Sequence, residues 1–193
     1  MYQTEDPWSS VLHLQAVHEF LRTHAGRNYR YVLDAGCGEG IYAEGFLKIA
    51  QSYLGVDISA TAIARAREKH AGSSARFLQS DVFSLDLSRN RPDLVVFNFV
   101  LDYLGFQKFP KTFSAHLYSF LRRIAADDAD ILIVNPIYGE KNSEDFAKYL
   151  FLFKNFGWEL SAKAGVKLQG YELAMALLKP NKIKPNGSGV QEA

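Results

Sequence analysis

The residues with the clearest chemical implication lie between positions 31 and 40, in the run Tyr-Val-Leu-Asp-Ala-Gly-Cys-Gly-Glu-Gly. Its first three residues form an apolar run typical of a buried strand, and Asp34 ends that run. Glycine follows at every second position (36, 38 and 40), where the missing Cβ allows a sharp turn and close approach to a ligand. The apolar segment 41–50 is predicted to be a helix. A strand, a glycine turn and a helix together predict a nucleotide-binding corner.

The spacing of these glycines argues against a dinucleotide. The fingerprint G-x-G-x-x-G would require glycine at position 41, where this chain has Ile41. Asp34 would also repel a pyrophosphate, because both groups carry negative charge. A cationic or zwitterionic ligand suits the turn better, and an NAD-dependent oxidoreductase is the less favoured alternative.

This stretch resembles motif I of the class I S-adenosylmethionine-dependent methyltransferases, whose common form is V-L-D-x-G-C-G-x-G. In that family the glycines pass under the cofactor and the acid lies near its methionine end. The resemblance implies cofactor contacts from Asp34, Ala35, Gly36, Cys37, Gly38 and Gly40. A catalytic thiol at Cys37 is the alternative, and a small, tightly packed residue is the favoured interpretation.

A second acidic position follows the next predicted strand, 53–57, which ends at Asp57. Because Asp57 comes seventeen residues after Gly40, one helix fits between the two strands. In such a βαβ unit its carboxylate would lie beside the glycine turn and could accept hydrogen bonds from both ribose hydroxyls. A role as helix cap is the alternative, but Ser59 or Thr61 fits that role better. The neighbouring Ile58 is included in the predicted cofactor site.

Two further strand ends complete the resemblance. After the third predicted strand, 75–79, the family pattern implies that Asp81 meets the adenine amino group and that Val82 packs against the ring or offers its backbone N–H. A capping or turn aspartate is the alternative for Asp81. The fourth strand, 94–97, ends at Asn98 and Phe99, beside the first strand at a topological switch point, where ligands bind. Both residues are therefore assigned to the cofactor site.

The segment 92–104 is similar to motif IV of small-molecule methyltransferases. It lacks the Asn/Asp-Pro-Pro-aromatic signature of amino-methylating DNA enzymes. The run Asn-Pro-Ile-Tyr at 135–138 is similar to that signature, but it is predicted to follow strand five and lacks the second proline. We therefore do not assign it a catalytic role on that basis.

The predicted fold is α/β: a three-layer Rossmann-like sandwich whose seven-stranded, mostly parallel sheet ends in a C-terminal antiparallel hairpin. Residues 1–179 are expected to form a single domain, with an N-terminal lid helix at about 9–24, and 180–193 a disordered tail. The lid helix carries His13 and His18, each interpreted as a surface or pocket-wall residue. Together with segments 101–109 and 137–142, it is expected to wall the substrate pocket.

Methyl transfer is a displacement at a sulfonium carbon, so the protein must mainly align the nucleophile behind the methyl group. A base helps when the nucleophile is a hydroxyl or a protonated amine. The candidates are Tyr103, Tyr138 and His18, and the expected aromatic lining is Trp8, Tyr103, Phe106 and Tyr138. The predicted activity is transfer to an O, N or S atom of a small molecule; a catalytically silent S-adenosylmethionine-binding protein is the alternative.

Composition narrows the remaining function classes. The chain has 22 Lys and Arg against 21 Asp and Glu, without a basic run of the kind that tracks phosphates, which disfavours nucleic acid as a partner. Its single cysteine cannot form an intrachain disulfide. Neither a bilayer-spanning segment nor a signal pattern is evident, so a cytoplasmic location is expected. No metal site is predicted, and the oligomeric state is left open.

Overall fold

The computed structural model describes residues 11–106, 110–168 and 170–181. The strands are β1 (Tyr29–Ala35), β2 (Ala50–Asp57), β3 (Ala75–Gln79), β4 (Leu94–Asn98), β5 (Asp130–Ile137), β6 (Trp158–Leu168) and β7 (Tyr171–Pro180). The helices are α1 (Val11–His24), α2 (Ala43–Leu47), α3 (Ala60–Lys69), α4 (Pro110–Ile124) and α5 (Glu140–Asn155), and Val82–Ser84 form a 3₁₀ turn.

These strands form one seven-stranded sheet in the order β3-β2-β1-β4-β5-β7-β6. The pairs among β1 to β5 are parallel, and β7 is antiparallel to both β5 and β6. The strand order reverses at β1, which has β2 on one side and β4 on the other. Ala35, at the end of β1, lies opposite Val56 and Phe97, so the carboxyl ends of these strands lie side by side. This arrangement confirms the predicted fold class.

Alternate residues of each central strand pack into different layers, as the two-residue period of a strand requires. On one side of the sheet, Val32, Val96 and Leu132 pack with buried residues of α1, α2 and α3. On the other side, Leu33, Val95 and Ile131 pack with buried residues of α4 and α5. A sheet covered on both faces explains why β1 and β4 are almost continuously apolar in sequence.

Helix α1 is part of this core, and its role as a wall of the substrate pocket stays a prediction. Val17, Phe20 and Leu21 are buried between the helix and the sheet. His13 is fully buried, which corrects its interpretation as a surface or pocket-wall residue. The residues before Val11, including Trp8, lie outside the described part of the chain.

The largest difference from prediction is α2, which spans only the five residues Ala43–Leu47 instead of 41–50. The chain leaves the helix early because Ala50 pairs with Tyr29 at the start of β2, and the Tyr29 N–H donates to the Ile49 carbonyl. Sheet pairing therefore competes successfully with an apolar, helix-compatible segment.

Smaller differences occur in the second half of the chain. Strand β5 continues to Ile137, so Asn135 and Pro136 lie inside it and not after it. Helix α5 begins at Glu140, with Gly139 at its N-cap. Pro180, predicted to open the tail, ends β7 opposite Trp158, and residues 182–193 are outside the described ranges. No helix among the described residues is both long and apolar enough to cross a membrane.

Candidate functional site

A cavity of about 900 Å³ lies at the carboxyl ends of β1 to β4, a size typical of small-molecule sites. Its lining includes most of the predicted cofactor residues: Asp34, Gly36, Cys37, Gly38, Asp57, Ile58, Asp81, Val82, Asn98 and Phe99. Two predicted contacts, Ala35 and Gly40, are not among the lining residues. Ala35 is completely buried within β1, and Gly40 packs against the ring of Phe77.

The glycine turn after β1 is held by hydrogen bonds to β2. The N–H groups of Gly36 and Cys37 both donate to the Val56 carbonyl, at 2.7 and 3.0 Å. The N–H of Gly38 donates to Asp57 Oδ2 at 2.9 Å. The two strand ends are therefore joined across the floor of the cavity.

The three glycines of this turn differ in the space that surrounds them. All have positive φ angles, of 80°, 52° and 71° for Gly36, Gly38 and Gly40, which L-residues with a side chain rarely adopt. A Cβ on Gly36 would overlap Val100, and one on Gly40 would lie 2.5 Å from the ring of Phe77. A Cβ on Gly38 would meet nothing within 4 Å. Only Gly38 thus leaves open space on the cavity side, and the other two are required by packing against protein.

Asp34 is a buried carboxylate that faces this cavity, with only 1% of its surface exposed. Its Oδ2 accepts a hydrogen bond of 2.8 Å from the Tyr53 hydroxyl, whereas its buried Oδ1 has no hydrogen-bond partner. Burial raises the pKa of Asp34 to about 7, Tyr53 opposes that rise, and the charge of Asp57 adds to it. A ligand that donates to Oδ1 would stabilise the ionised carboxylate.

Asp57 holds the loops on both sides of the β2 end. Its Oδ2 accepts from Gly38, and its Oδ1 accepts from the N–H of Ser59 at 2.8 Å. Ser59 is the N-cap of α3, since its hydroxyl accepts from the N–H of Ala62. The carboxylate therefore has a structural role in addition to its predicted contact with a ligand, because each oxygen still has a second lone pair.

At the end of β3, Asp81 has the capping role that the sequence gave as the alternative, and its contact with adenine stays a prediction. Its side chain accepts from the N–H of Phe83 and caps the 3₁₀ turn, and the residue also lines the cavity. Val82 beside it is buried, with 4% of its surface exposed, and lines the same wall.

At the end of β4, Asn98 lines the cavity with a buried Oδ1 that has no hydrogen-bond partner. Phe99 has a φ of 58°, the left-handed region that non-glycine residues rarely enter. Its N–H donates to the carbonyl of Val134, inside β5, and its ring lies 4.7 Å from the ring of His13. These contacts hold the strained residue against α1 at the wall of the cavity.

The three candidate bases do not lie together. Tyr103 lines the cavity and is 81% exposed. Tyr138 is not among the lining residues; its ring is tilted by 40° against the ring of Tyr171, with centroids 5.3 Å apart. Burial, together with the nearby Tyr103, raises the pKa of Tyr138. His18 lines a separate groove of about 200 Å³ between α1 and α2.

Other predicted groups have structural partners. Burial raises the pKa of the Cys37 thiol, and its Sγ packs against Gly55, which disfavours a thiolate nucleophile. The hydroxyl of Tyr149 donates to Asp102, and this bond connects the loop after β4 to α5. Phe106 packs between Tyr149 and Phe113 and does not appear in the cavity lining.

Sequence reasoning missed Tyr53, the partner of Asp34, and Tyr42, which lines both the cavity and the groove. The two-residue strand period could have indicated Tyr53, because Tyr53 pairs with Val32 and therefore shares a sheet face with Asp34. No comparable signal marked Tyr42, since the turn that contains it was expected to be helical.

Comparison with known proteins adds a family match. Residues 32–123 match the model of a methyltransferase domain. An uncharacterized methyltransferase of Mycobacterium tuberculosis is 29% identical over 100 residues, which cover 52% of this chain and 49% of the relative. The chain thus spans about half the length of the curated relative that it matches.

Solved methyltransferases share the fold at low sequence identity. The N-methyltransferase NodS from Bradyrhizobium japonicum, in complex with S-adenosylhomocysteine, is 15% identical with a TM-score of 0.69, over 92% of this chain and 93% of that chain. The 1,6-didemethyltoxoflavin-N1-methyltransferase from Burkholderia thailandensis is 18% identical with a TM-score of 0.69, over 91% and 81%. The predicted resemblance to Rossmann-like methyltransferases is therefore confirmed.

The packing of Gly40 against Phe77 predicts a specific cost for a side chain there. We expect Gly40→Ala to lower the free energy of unfolding by about 2–4 kcal/mol, because it adds an overlap with a ring to the strain of a left-handed alanine. Gly72→Ala is the matched control, since Gly72 has a φ of 88° but open space around it, and should cost about 1 kcal/mol. Urea unfolding measures both, and equal costs would contradict the packing argument.

The buried carboxylate predicts a pH-dependent stability difference for Asp34→Asn. The folded protein binds a proton at Asp34 up to about pH 7, whereas the ordinary aspartate pKa is 3.8. Wild-type stability from this group is thus fully present below pH 4 and is lost as the pH rises to 7. One pKa unit corresponds to about 1.4 kcal/mol. At pH 8 the free energy of unfolding of Asp34→Asn should therefore exceed that of wild type by a few kcal/mol. Urea unfolding at several pH values tests this, and a constant difference would contradict it.

Proposed function

We propose that this chain, whose residues 32–123 match a methyltransferase domain, binds S-adenosylmethionine and transfers its methyl group to a small molecule. The observation that carries the proposal is a row of acceptors along four adjacent strand ends. Asp81, Asp57, Asp34 and Asn98 lie at or just beyond the carboxyl ends of β3, β2, β1 and β4, in the spatial order of these strands, and all line one cavity. An elongated ligand with hydrogen-bond donors along its length fits such a row.

At one end of the row, the side chains suit an adenosine group. The Asp57 carboxylate is partly exposed beside the open Cα of Gly38, so a ribose could approach the backbone and share the carboxylate with it. Asp81 and the apolar Val82 would hold the base by polar and packing contacts, respectively. Three solved proteins with this fold, NodS, the 1,6-didemethyltoxoflavin-N1-methyltransferase and magnesium protoporphyrin IX methyltransferase, carry S-adenosylhomocysteine or S-adenosylmethionine in their complexes, which supports this assignment.

At the other end, the cavity presents acceptors without matching donors. Asp34 Oδ1 and Asn98 Oδ1 are both buried, and neither has a hydrogen-bond partner among the residues that the structure describes. Buried polar atoms are normally paired, and an unpaired one in a cavity indicates where a ligand donates. An ammonium group supplies several donors and a positive charge, which would stabilise the ionised form of Asp34. The amino acid end of S-adenosylmethionine has such a group.

The cofactor supplies a methyl group that is already activated by its positive sulfur. The work left to the chain is to hold both reactants in line and to exclude water. Phe99, Val100, Tyr103 and Leu104 form an uncharged wall beside Asn98, which favours a neutral or apolar substrate. The substrate that this wall selects determines whether the methyl group is transferred to an O, N or S atom.

A catalytically silent S-adenosylmethionine-binding protein is the alternative. It is favoured by one observation: of the three candidate bases, only Tyr103 lines the main cavity, and it is highly exposed. Methyl acceptors such as thiolates and unprotonated amines need no base, so this arrangement is also compatible with turnover. A substrate panel assayed for S-adenosylhomocysteine release distinguishes the two functions.

The glycine spacing and the row of acceptors predict ligand selectivity. Wild-type protein should bind S-adenosylmethionine and S-adenosylhomocysteine but not NAD, because Asp34 repels a pyrophosphate and Ile41 replaces the glycine of the dinucleotide fingerprint. Isothermal titration calorimetry with each ligand makes the comparison. Binding of NAD without binding of either adenosyl ligand would contradict the proposed function.

The contacts of Asp57 predict two separable effects of Asp57→Ala. Loss of its bonds to ribose should weaken S-adenosylhomocysteine binding by about 2–3 kcal/mol, or roughly 30- to 150-fold. The melting temperature should also fall, because the N–H groups of Gly38 and Ser59 lose their acceptor.

Asp57→Asn is the matched variant, since its amide oxygen can still accept one of these bonds. Its affinity for S-adenosylhomocysteine and its melting temperature should both fall less than those of Asp57→Ala. Calorimetry is carried out well below the melting temperature of each variant. Normal affinity in an Asp57→Ala protein that melts early would show that the carboxylate is structural only.

A further inference from the structure

We infer that His70 is a positioning residue for the glycine turn and thereby for ligand binding, although it is not among the residues that line the cavity. This inference rests on the proposed function and extends it to a residue that the ligand would not touch. His70 directly follows α3 and is 6% exposed. Its Nε2 lies 2.9 Å from the carbonyl oxygen of Gly40, the last glycine of the turn.

The direction of this hydrogen bond follows from its partners. A carbonyl oxygen can only accept, so Nε2 must carry the proton and donate it to Gly40. The other nitrogen, Nδ1, lies 3.9 Å from a carboxylate oxygen of Glu44 on α2. The imidazole ring also stacks on Phe77, with centroids 5.3 Å apart and an interplanar angle of 29°. Among the described residues Nδ1 makes no hydrogen bond, so the bond to Gly40 and the stacking on Phe77 orient the donor.

The Gly40 peptide needs external support. The carbonyl of Gly40 also accepts from the N–H of Ala43, the first residue of α2. Helix α2 has only five residues, too few for a helix to be stable by itself. The exit of the turn therefore depends on contacts from other parts of the chain, and His70 supplies the side-chain donor.

Gly40 has a steric contact with Phe77 in addition to its hydrogen bond from His70. Its ring stacks on His70 and lies so close to Gly40 that no Cβ fits between them. Gly40 is thus held between the ring below it and the donor beside it. Two residues earlier, Gly38 is held by Asp57. A displacement of Gly40 would be transmitted to Gly38, the glycine with open space on the cavity side.

The test compares three variants of the 193-residue chain. His70→Leu removes the donor, whereas His70→Gln keeps an N–H near the position of Nε2. Trp158→Phe is the matched control, because it removes another buried side-chain donor to a carbonyl, Trp158 Nε1 to Ala129 at 2.8 Å. That bond lies at the start of β6, on the opposite side of the sheet order from β2 and β3.

Two measurements are made on each protein below its melting temperature. The first is the dissociation constant of S-adenosylhomocysteine by calorimetry, and the second is amide hydrogen exchange over residues 36–43. We expect His70→Leu to weaken binding about tenfold, the factor of one hydrogen bond, and to accelerate exchange in that segment. His70→Gln should restore both to within about threefold of wild type, and Trp158→Phe should change neither.

Wild-type affinity and exchange in His70→Leu would overturn the inference. So would an equal loss in Trp158→Phe, because the effect would then reflect general destabilisation, and so would a failure of His70→Gln to restore either quantity. A wild-type protein that binds no S-adenosylhomocysteine would overturn the proposed function, and the exchange comparison would still decide the role of His70.

Discussion

The hydrogen bond between the Gly38 N–H and the Asp57 carboxylate is the contact on which the site depends. It connects the turn after β1 to the end of β2, and the same carboxylate receives the N–H of Ser59 at the start of α3. One side chain therefore positions three segments: the glycine turn, the end of β2 and the start of α3. Because a turn with three left-handed glycines has little conformational preference of its own, its shape must come from such neighbours.

The cavity beside this turn is organised for a ligand at some cost to the free protein. Asp34 is buried with one oxygen unpaired, and Asn98 has a buried amide oxygen in the same state. Such atoms destabilise a fold unless something donates to them. Phe99 adds backbone strain at the end of β4. Features of this kind collect at functional sites because binding, and not folding, compensates them.

The residues around the cavity fall into two groups, those that face the cavity and those that hold the cavity walls in place. Asp34, Asp57, Asp81 and Asn98 face the cavity. Tyr53 holds Asp34, whereas His70 and Phe77 contact Gly40, which is not a lining residue but belongs to the glycine turn beside the cavity. Asp57 belongs to both groups. A substitution in either group can therefore alter ligand binding, and only the first group is expected to contact the ligand.

The sequence by itself determined the order of the elements and the chemical character of the site. Apolar runs ending in Asp34, Asp57 and Asn98 marked three strand ends, and the rule that ligands bind at carboxyl ends brought them to one edge. Tertiary structure decided the remainder. Pairing of Ala50 with Tyr29 shortened α2. Gly36 and Gly40 must be glycine because a Cβ would overlap Val100 and Phe77, respectively, and not because a ligand approaches them. His70 and Tyr53 could not be assigned from local pattern, because their partners lie 30 and 19 residues away in sequence and meet them only when the sheet has formed.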